Sequence, residues 1–234
     1  MKHLLFRLYG PMCSWGDIAV GETRPSFTHP SKSAVLGLIA GALGVRRDEE
    51  EKHKSLAEGI GFAVQVESVG LSLADYHTAQ VPSGKERYCT RRQELSGEKS
   101  ELNTILSTRD YRVDGLYTVV LWQRNPSEWS LDRIKSKLEQ PEFVPYLGRK
   151  SCPSALPFEA QIADGISLIE VLAKAKFMNI YSLGLKSVGQ KMLYWDSDAV
   201  AGIMEQHIFE RRDIPLSRCG WQFDTRKERH VALT

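Results

Sequence analysis

Apolar and polar positions divide the chain into short elements. Residues 4–9 (LLFRLY), bounded by Gly10 and Pro11, predict a strand. A polar, glycine-bearing loop follows over 12–30. Residues 31–45 (SKSAVLGLIAGALGV) predict a buried helix, with Pro30 ahead of it and Ser31 or Ser33 as its cap. Gly37 and Gly41, four apart, give that helix a strip without side chains, which is expected to let it lie close against a sheet. Residues 46–54 (RRDEEEKHK) hold four bases and four acids and read as a solvated face or turn. Alternation at Phe62, Val64 and Val66, then Val69, Leu71 and Leu73, predicts one or two strands over 60–73. Residues 112–123 (RVDGLYTVVLWQ) read as a strand. Residues 130–140 predict an amphipathic helix, capped by Ser130, with Leu131, Ile134 and Leu138 as its apolar face and Pro141 ending it. A second helix is predicted over 168–177 and a short strand over 192–195. The tail, 208–231, reads as irregular or β-like, with Trp221 and Phe223 flanking Gln222.

The order strand, helix, strand, long insertion, strand, helix predicts an α+β fold. Its start fits a ferredoxin-like β-α-β-β-α-β unit, the RRM-like sheet architecture of RNA-recognition modules. The insertion spans 84–115, and residues 1–83 and 116–234 form the body around it.

Composition changes this picture little. Of the 234 residues, 42% are hydrophobic and 26% charged, which is globular, and the formal net charge is only +2. An anion-binding surface must therefore be local. Cys13, Cys89, Cys152 and Cys219 lie far apart with no ligand spacing, which argues against zinc and against a secreted disulfide scaffold. No apolar run reaches the roughly 18 residues that span a bilayer, and a soluble, cytoplasmic protein without cofactor or metal is expected. There is no phosphate-binding GxxxxGK[ST] loop, no HExxH and no GxSxG elbow. The glycine-rich run 37–44 sits inside the predicted helix, away from the strand-to-turn setting of a dinucleotide site.

Basic residues cluster at four places. Arg24, His29, Lys32 and Ser33 precede or open the first helix, where unpaired N–H groups attract anions. Residues 85–93 (KERYCTRRQ) hold Lys85, Arg87, Arg91 and Arg92 against one acid, with Tyr88 among them, a pattern that suits single-stranded nucleic acid. Arg109, Tyr111 and Arg112 lie at the base of the insertion; in an extended segment Arg109 and Tyr111 share one side and Arg112 takes the other. Asp110 and Asp114 are alternative partners for these arginines. Arg149 and Lys150 sit on a proline- and glycine-fixed turn near Tyr146. Tyr88, Tyr111 and Tyr146 are the candidate base-stacking rings. The acid–base cluster Asp75-Tyr76-His77 offers a second possibility, a metal-independent ribonuclease, although an isolated histidine after a strand is more often structural.

Five segments in order, LYGPMCSWG, TRPSFTHPSKSAVLGLIAGALGV, DYHTAQV, LSTRDYRVDGLYTVVL and FVPYLGRKSCPS, resemble the CasD-type, 5′-handle-binding subunits of type I-E CRISPR Cascade complexes, the Cas5 family. A weaker match lies in the tail, at 211–213 and 221–231. The resemblance implies a ferredoxin-like palm with a β-hairpin thumb, the thumb being 84–115. It implies a non-catalytic subunit that holds the 5′ handle of the CRISPR RNA, beside the backbone subunit CasC and the large subunit CasA, with target DNA met only indirectly. Cutting of precursor RNA would belong to a different subunit.

Overall fold

The structure, a computed structural model, describes residues 1–84, 87–96 and 102–233. It is a mixed α+β fold rich in antiparallel sheet. The body is built on β1 (Lys2–Tyr9), β4 (Ile60–Ser68), β7 (Leu116–Gln123) and β8 (Gln161–Asp164). They lie in the order β8-β1-β7-β4, with every neighbour antiparallel. Three further strands continue the sheet beyond β4: β9 (Met192–Asp196), then β11 (Gln222–Ala232), then β10 (His207–Ser217) at the edge.

Both faces of this sheet are covered. Leu4, Phe6 and Leu8 of β1 point to one side, where α1 (Lys32–Ala42), α2 (Glu50–Gly59) and α4 (Leu131–Glu139) supply Val35, Leu36, Ile39, Leu56, Ile134 and Leu138. Leu5 points to the other, against Val120, Trp122, Trp195 and the residues Leu168 and Val171 of α5 (Leu168–Lys174). Each such side chain contributes on the order of 1.5–3 kcal/mol by leaving water. Ser31, Ser130 and Ser167 cap α1, α4 and α5 by accepting from the backbone N–H three residues on.

Four sequence expectations change. The charged run 46–54 is partly helical: Glu50 opens α2, and its carboxylate accepts from Ser217 Oγ and from the N–H groups of Arg218 and Cys219. These are tertiary contacts that no local pattern displays. Residues 112–123 belong to two strands, because Asp114 takes a positive φ of 58° at a sharp turn between β6 (Leu102–Val113) and β7. The two-stranded ribbon formed by β5 (Leu71–Pro82) and β6 runs in register from Leu71↔Val113 to Pro82↔Leu102, so it begins at Leu71, well before residue 84. Leu71 and Leu73 continue the apolar alternation of β4 yet are exposed on this ribbon, which hid its base. The tail is a regular hairpin with two irregularities in register, near Arg212 and Pro215. The β-like reading of the tail holds; the pattern left irregular structure open because the buried face carries charged residues, Arg226 and Glu228, where apolar ones are expected. Finally, Gly37 and Gly41 face away from the sheet. A Cβ at Gly37 would meet the Arg218 guanidinium at 3.5 Å, and one at Gly41 nothing within 4 Å.

Among the described residues no helix is long and apolar enough to cross a membrane.

Candidate nucleic-acid interface

The base of the ribbon is where separated parts of the chain meet. One edge of β6 is taken along its length by β5. Its other edge pairs with β2 (Met12–Cys13), at Arg112 and Val113, and with β3 (Thr23–Arg24), at Thr108 and Arg109. Arg24 is therefore in register with Arg109, and both side chains leave the same face. The turn 146–153 is tied to the same place. Ser14 N–H donates to Leu147 O at 3.0 Å, and Ser14 Oγ donates to Asp110 O at 3.0 Å. Gly148 allows this approach: its φ is +83°, and a Cβ there would lie 1.8 Å from Ser14 O.

These contacts set Arg149 over the ring of Tyr111, 4.9 Å from its centroid, with Nη2 donating to Arg24 O at 3.3 Å. The result is one surface holding Arg24, Arg109 and Arg149; Tyr111, expected as a base-stacking ring, is instead buried in the core at 8% exposure, beneath Arg149. Arg112 leaves the opposite face, as its alternation requires. Asp110 and Asp114 do not neutralise the cluster: among the described residues neither pairs with an arginine, and Asp114 accepts instead from Tyr9 Oη at 3.3 Å. Arg149 Nη1 and Arg112 Nε are buried with no acceptor. An unpartnered buried donor is costly, and a phosphate at Arg149 would satisfy it.

His29 and Lys32 have a different role. Both are buried, at 1% exposure each, in an ionic cluster beneath β9–β11. Lys32 Nζ meets Asp196 at 2.8 Å, and Lys32 N–H donates to Asp213 at 2.8 Å. Arg226 reaches Asp196, Asp213 and Glu228 at 3.0, 2.7 and 2.5 Å. With Arg124 and Arg211 on one side and Asp198 on the other, four cations face four carboxylates. Burial lowers the Lys32 pKa, opposed by Asp196. Burial would raise that of Glu228, but His29 and the guanidiniums of Arg211 and Arg226 hold it well below the carboxylate range. The His29 pKa falls to about 4: burial drives it down, the Glu228 carboxylate opposes that, and Arg211 lowers it further. Its Nε2 lies 3.2 Å from Glu228 Oε2 and also against Arg211 Nη1, and its Nδ1 lies 3.2 Å from Thr28 Oγ1. The cluster fixes the start of α1 to the C-terminal strands, so neither side chain is offered to a ligand. Sequence reading missed its acids, although Arg226, Glu228 and His230 at spacing two are a visible inward row.

The remaining expected residues lie elsewhere. Arg87, Tyr88 and Arg92 are exposed on the outer ribbon, and Arg91 there is ion-paired to Glu94 at 2.6 Å. Arg91, in α3 (Arg91–Glu94), also donates to Gln80 O, so this segment folds back along the outer ribbon, roughly 20 Å from the Arg24–Arg109 pairing. Lys85 lies outside the described residues. Lys150 and Tyr146 are exposed on the turn beside Arg149, and Ser33, half-buried, bonds Ser31 Oγ at 3.0 Å. His77 faces Asp75 at 3.8 Å on the open ribbon, while Tyr76 points to the other face.

Comparisons with known proteins agree with this anatomy. A chain of a structure described as a CRISPR RNA-guided surveillance complex superimposes with a TM-score of 0.68 at 24% identity, covering 98% of this chain and 89% of that one. A second, described as a Cas protein, gives 0.60 at 23% identity, covering 99% and 94%. The Cascade subunit CasD of Escherichia coli (strain K12) is 33% identical over 164 residues, 67% of this chain and 69% of that protein. Residues 3–227 match the family model described as CRISPR-associated protein (Cas_Cas5), and the chain belongs to that family.

Proposed function

We propose that this protein is a non-catalytic CRISPR RNA-binding subunit of a Cascade surveillance complex, and that it grips the repeat-derived 5′ handle at the base of its ribbon. The observation that carries this is the convergence of Arg24, Arg109 and Arg149 over Tyr111, with one buried Arg149 donor left without an acceptor among the described residues. Clustered guanidiniums suit the phosphates of a single strand, while Tyr111, buried beneath Arg149, holds that guanidinium in place. The order β8-β1-β7-β4 supports reading the body as a ferredoxin-like palm and the ribbon as its thumb. Arg87, Tyr88 and Arg92 on the outer ribbon then serve a more distant part of the RNA or a neighbouring subunit. The backbone subunit CasC and the large subunit CasA are the proposed protein neighbours, in the cytoplasm. Target sequence would be read by base pairing, with protein gripping shape and backbone.

The test is titration of the single-stranded repeat RNA of the protein's own CRISPR array across salt concentrations. Arg109→Ala with Arg149→Ala is expected to weaken binding at least tenfold and to flatten the log–log salt slope by roughly 1 to 2. Unchanged affinity and slope would sink the assignment. The same RNA incubated in EDTA is expected to stay intact. Specific cleavage that disappears in His77→Ala would make the protein a ribonuclease instead.

A further inference from the structure

A second concavity adjoins the ribbon base. It begins at Ser14 and Gly148, next to Arg149, and runs along the bare face of α1 to the turn of the C-terminal hairpin, with a volume of about 680 Å³. That is within the range of small-ligand sites. Its floor is Gly37 and Gly41. Tyr146 stands at one side, 46% exposed, and Trp221 at the other, 56% exposed. Arg47 lies over the Trp221 ring, 4.7 Å from its centroid. Arg218 crosses Gly37, donates from Nη2 to Ser33 O at 2.7 Å and keeps a buried Nε without an acceptor.

Two features set this cavity apart from a packing defect. Unlike Arg124, Arg211 and Arg226, the lining guanidiniums of Arg46, Arg47 and Arg218 have no carboxylate partner among the described residues. Arg47 and Arg218 instead oppose one another: after burial, Arg47 is the largest influence lowering the Arg218 pKa. An anion would relieve that repulsion. Trp221 also takes a φ of +50°, a left-handed backbone uncommon for a bulky residue, at the turn that overhangs the cavity. Such strain persists where the surroundings hold it, and here it presents an indole at the rim.

We propose that this cavity takes one unstacked nucleotide of the bound RNA, its base against Tyr146 and Trp221 over the glycine floor and its phosphate at Arg47 and Arg218. The assignment rests on the RNA-binding reading above and adds a site to it. An RNA strand held at Arg149 needs to travel only past Gly148 to enter. Gly41 leaves the floor open for a flat base, and Gly37 makes room for the Arg218 guanidinium that would meet the phosphate.

Two substitutions test it in the full chain, with the single-stranded repeat RNA as probe. Gly41→Leu fills the floor; its Cβ meets nothing within 4 Å, and leucine favours helix over glycine. Trp221→Gly removes the ring and relieves the backbone. Each is expected to keep or raise Tm and to weaken RNA binding about tenfold, as loss of one stacked base does. Photo-crosslinking of RNA substituted with 4-thiouridine is expected to label Trp221 or Tyr146 in the unmodified chain and not in Gly41→Leu. If Gly41→Leu fails to fold, Trp221→Gly carries the same readout. Unchanged affinity in the folded variants, with no crosslink at either ring, overturns the cavity assignment. If Arg109→Ala with Arg149→Ala still weakens binding in that case, the ribbon-base reading survives alone. Loss of assembly with partner subunits at unchanged RNA affinity would show the cavity to be a protein-docking site.

Discussion

At the scale of single residues, the most informative side chain is His29. Its ring is sealed under β9 and β11, stacked on Tyr194 at 3.7 Å between centroids, with Arg211 at its Nε2. Glu228, 3.2 Å from the same nitrogen, favours a proton there, but burial and Arg211 outweigh it and keep the ring neutral to about pH 4. The unfolded chain takes up that proton near pH 6.5. Folding therefore loses stability as pH falls through the window from 6.5 to 4, at about 1.4 kcal/mol per unit. By pH 5 the loss is about 2 kcal/mol. Glu228 adds to it only below the ordinary carboxylate range, since its pKa is depressed. His29→Gln, which keeps an acceptor for Arg211, is expected to flatten the dependence of urea-unfolding free energy on pH between 6.5 and 5. An equal slope in both proteins would place the acid sensitivity elsewhere.

At the scale of elements, the turn 146–153 decides whether Arg149 reaches the ribbon. It closes through Leu147 N–H to Cys152 O at 2.7 Å and Cys152 N–H to Arg149 O at 2.8 Å. Gly148 brings its backbone against Ser14. In Gly148→Ala the new methyl would strike Ser14 O, and the residue would be strained at positive φ. The expected cost is at least about 2 kcal/mol in urea denaturation, with RNA affinity falling as in Arg149→Ala. Full stability in that variant would mean the turn is not held against Ser14. The turn, β1, α1, α4 and α5 were legible in the sequence because each is announced by adjacent residues: a serine cap, a proline stop or a glycine. What was hidden depended on distant partners. α2 is secured by a hairpin turn more than 160 positions away, at Ser217 and Arg218. His29 and Lys32 looked like phosphate ligands because their acids, Asp196, Asp213 and Glu228, lie far along the chain. The ribbon-base cluster was half legible: its residues could be named, but only the register Arg24↔Arg109 and the ring contact at Tyr111 bring them together.

At the scale of the whole molecule, both hydrophobic cores lie on the main sheet, and the described residues within 78–106 of the ribbon contribute to neither. The outer ribbon is thus dispensable for folding. Joining Thr78 to Leu106, which face each other across the ladder, by an Asn-Gly turn removes the tip and keeps the base. That variant is expected to melt within a few degrees of the intact protein while losing the RNA affinity that the tip supplies. A large fall in Tm would show that the ribbon supports the body. The pairing of β6 has a mechanical consequence. Near Arg109 and Arg112 the strand is bonded along both edges, and beyond Thr108 along one. Stiffness therefore drops at a defined point. A load on the far end of the ribbon would thus be carried to the segments that hold Arg24 and Ser14.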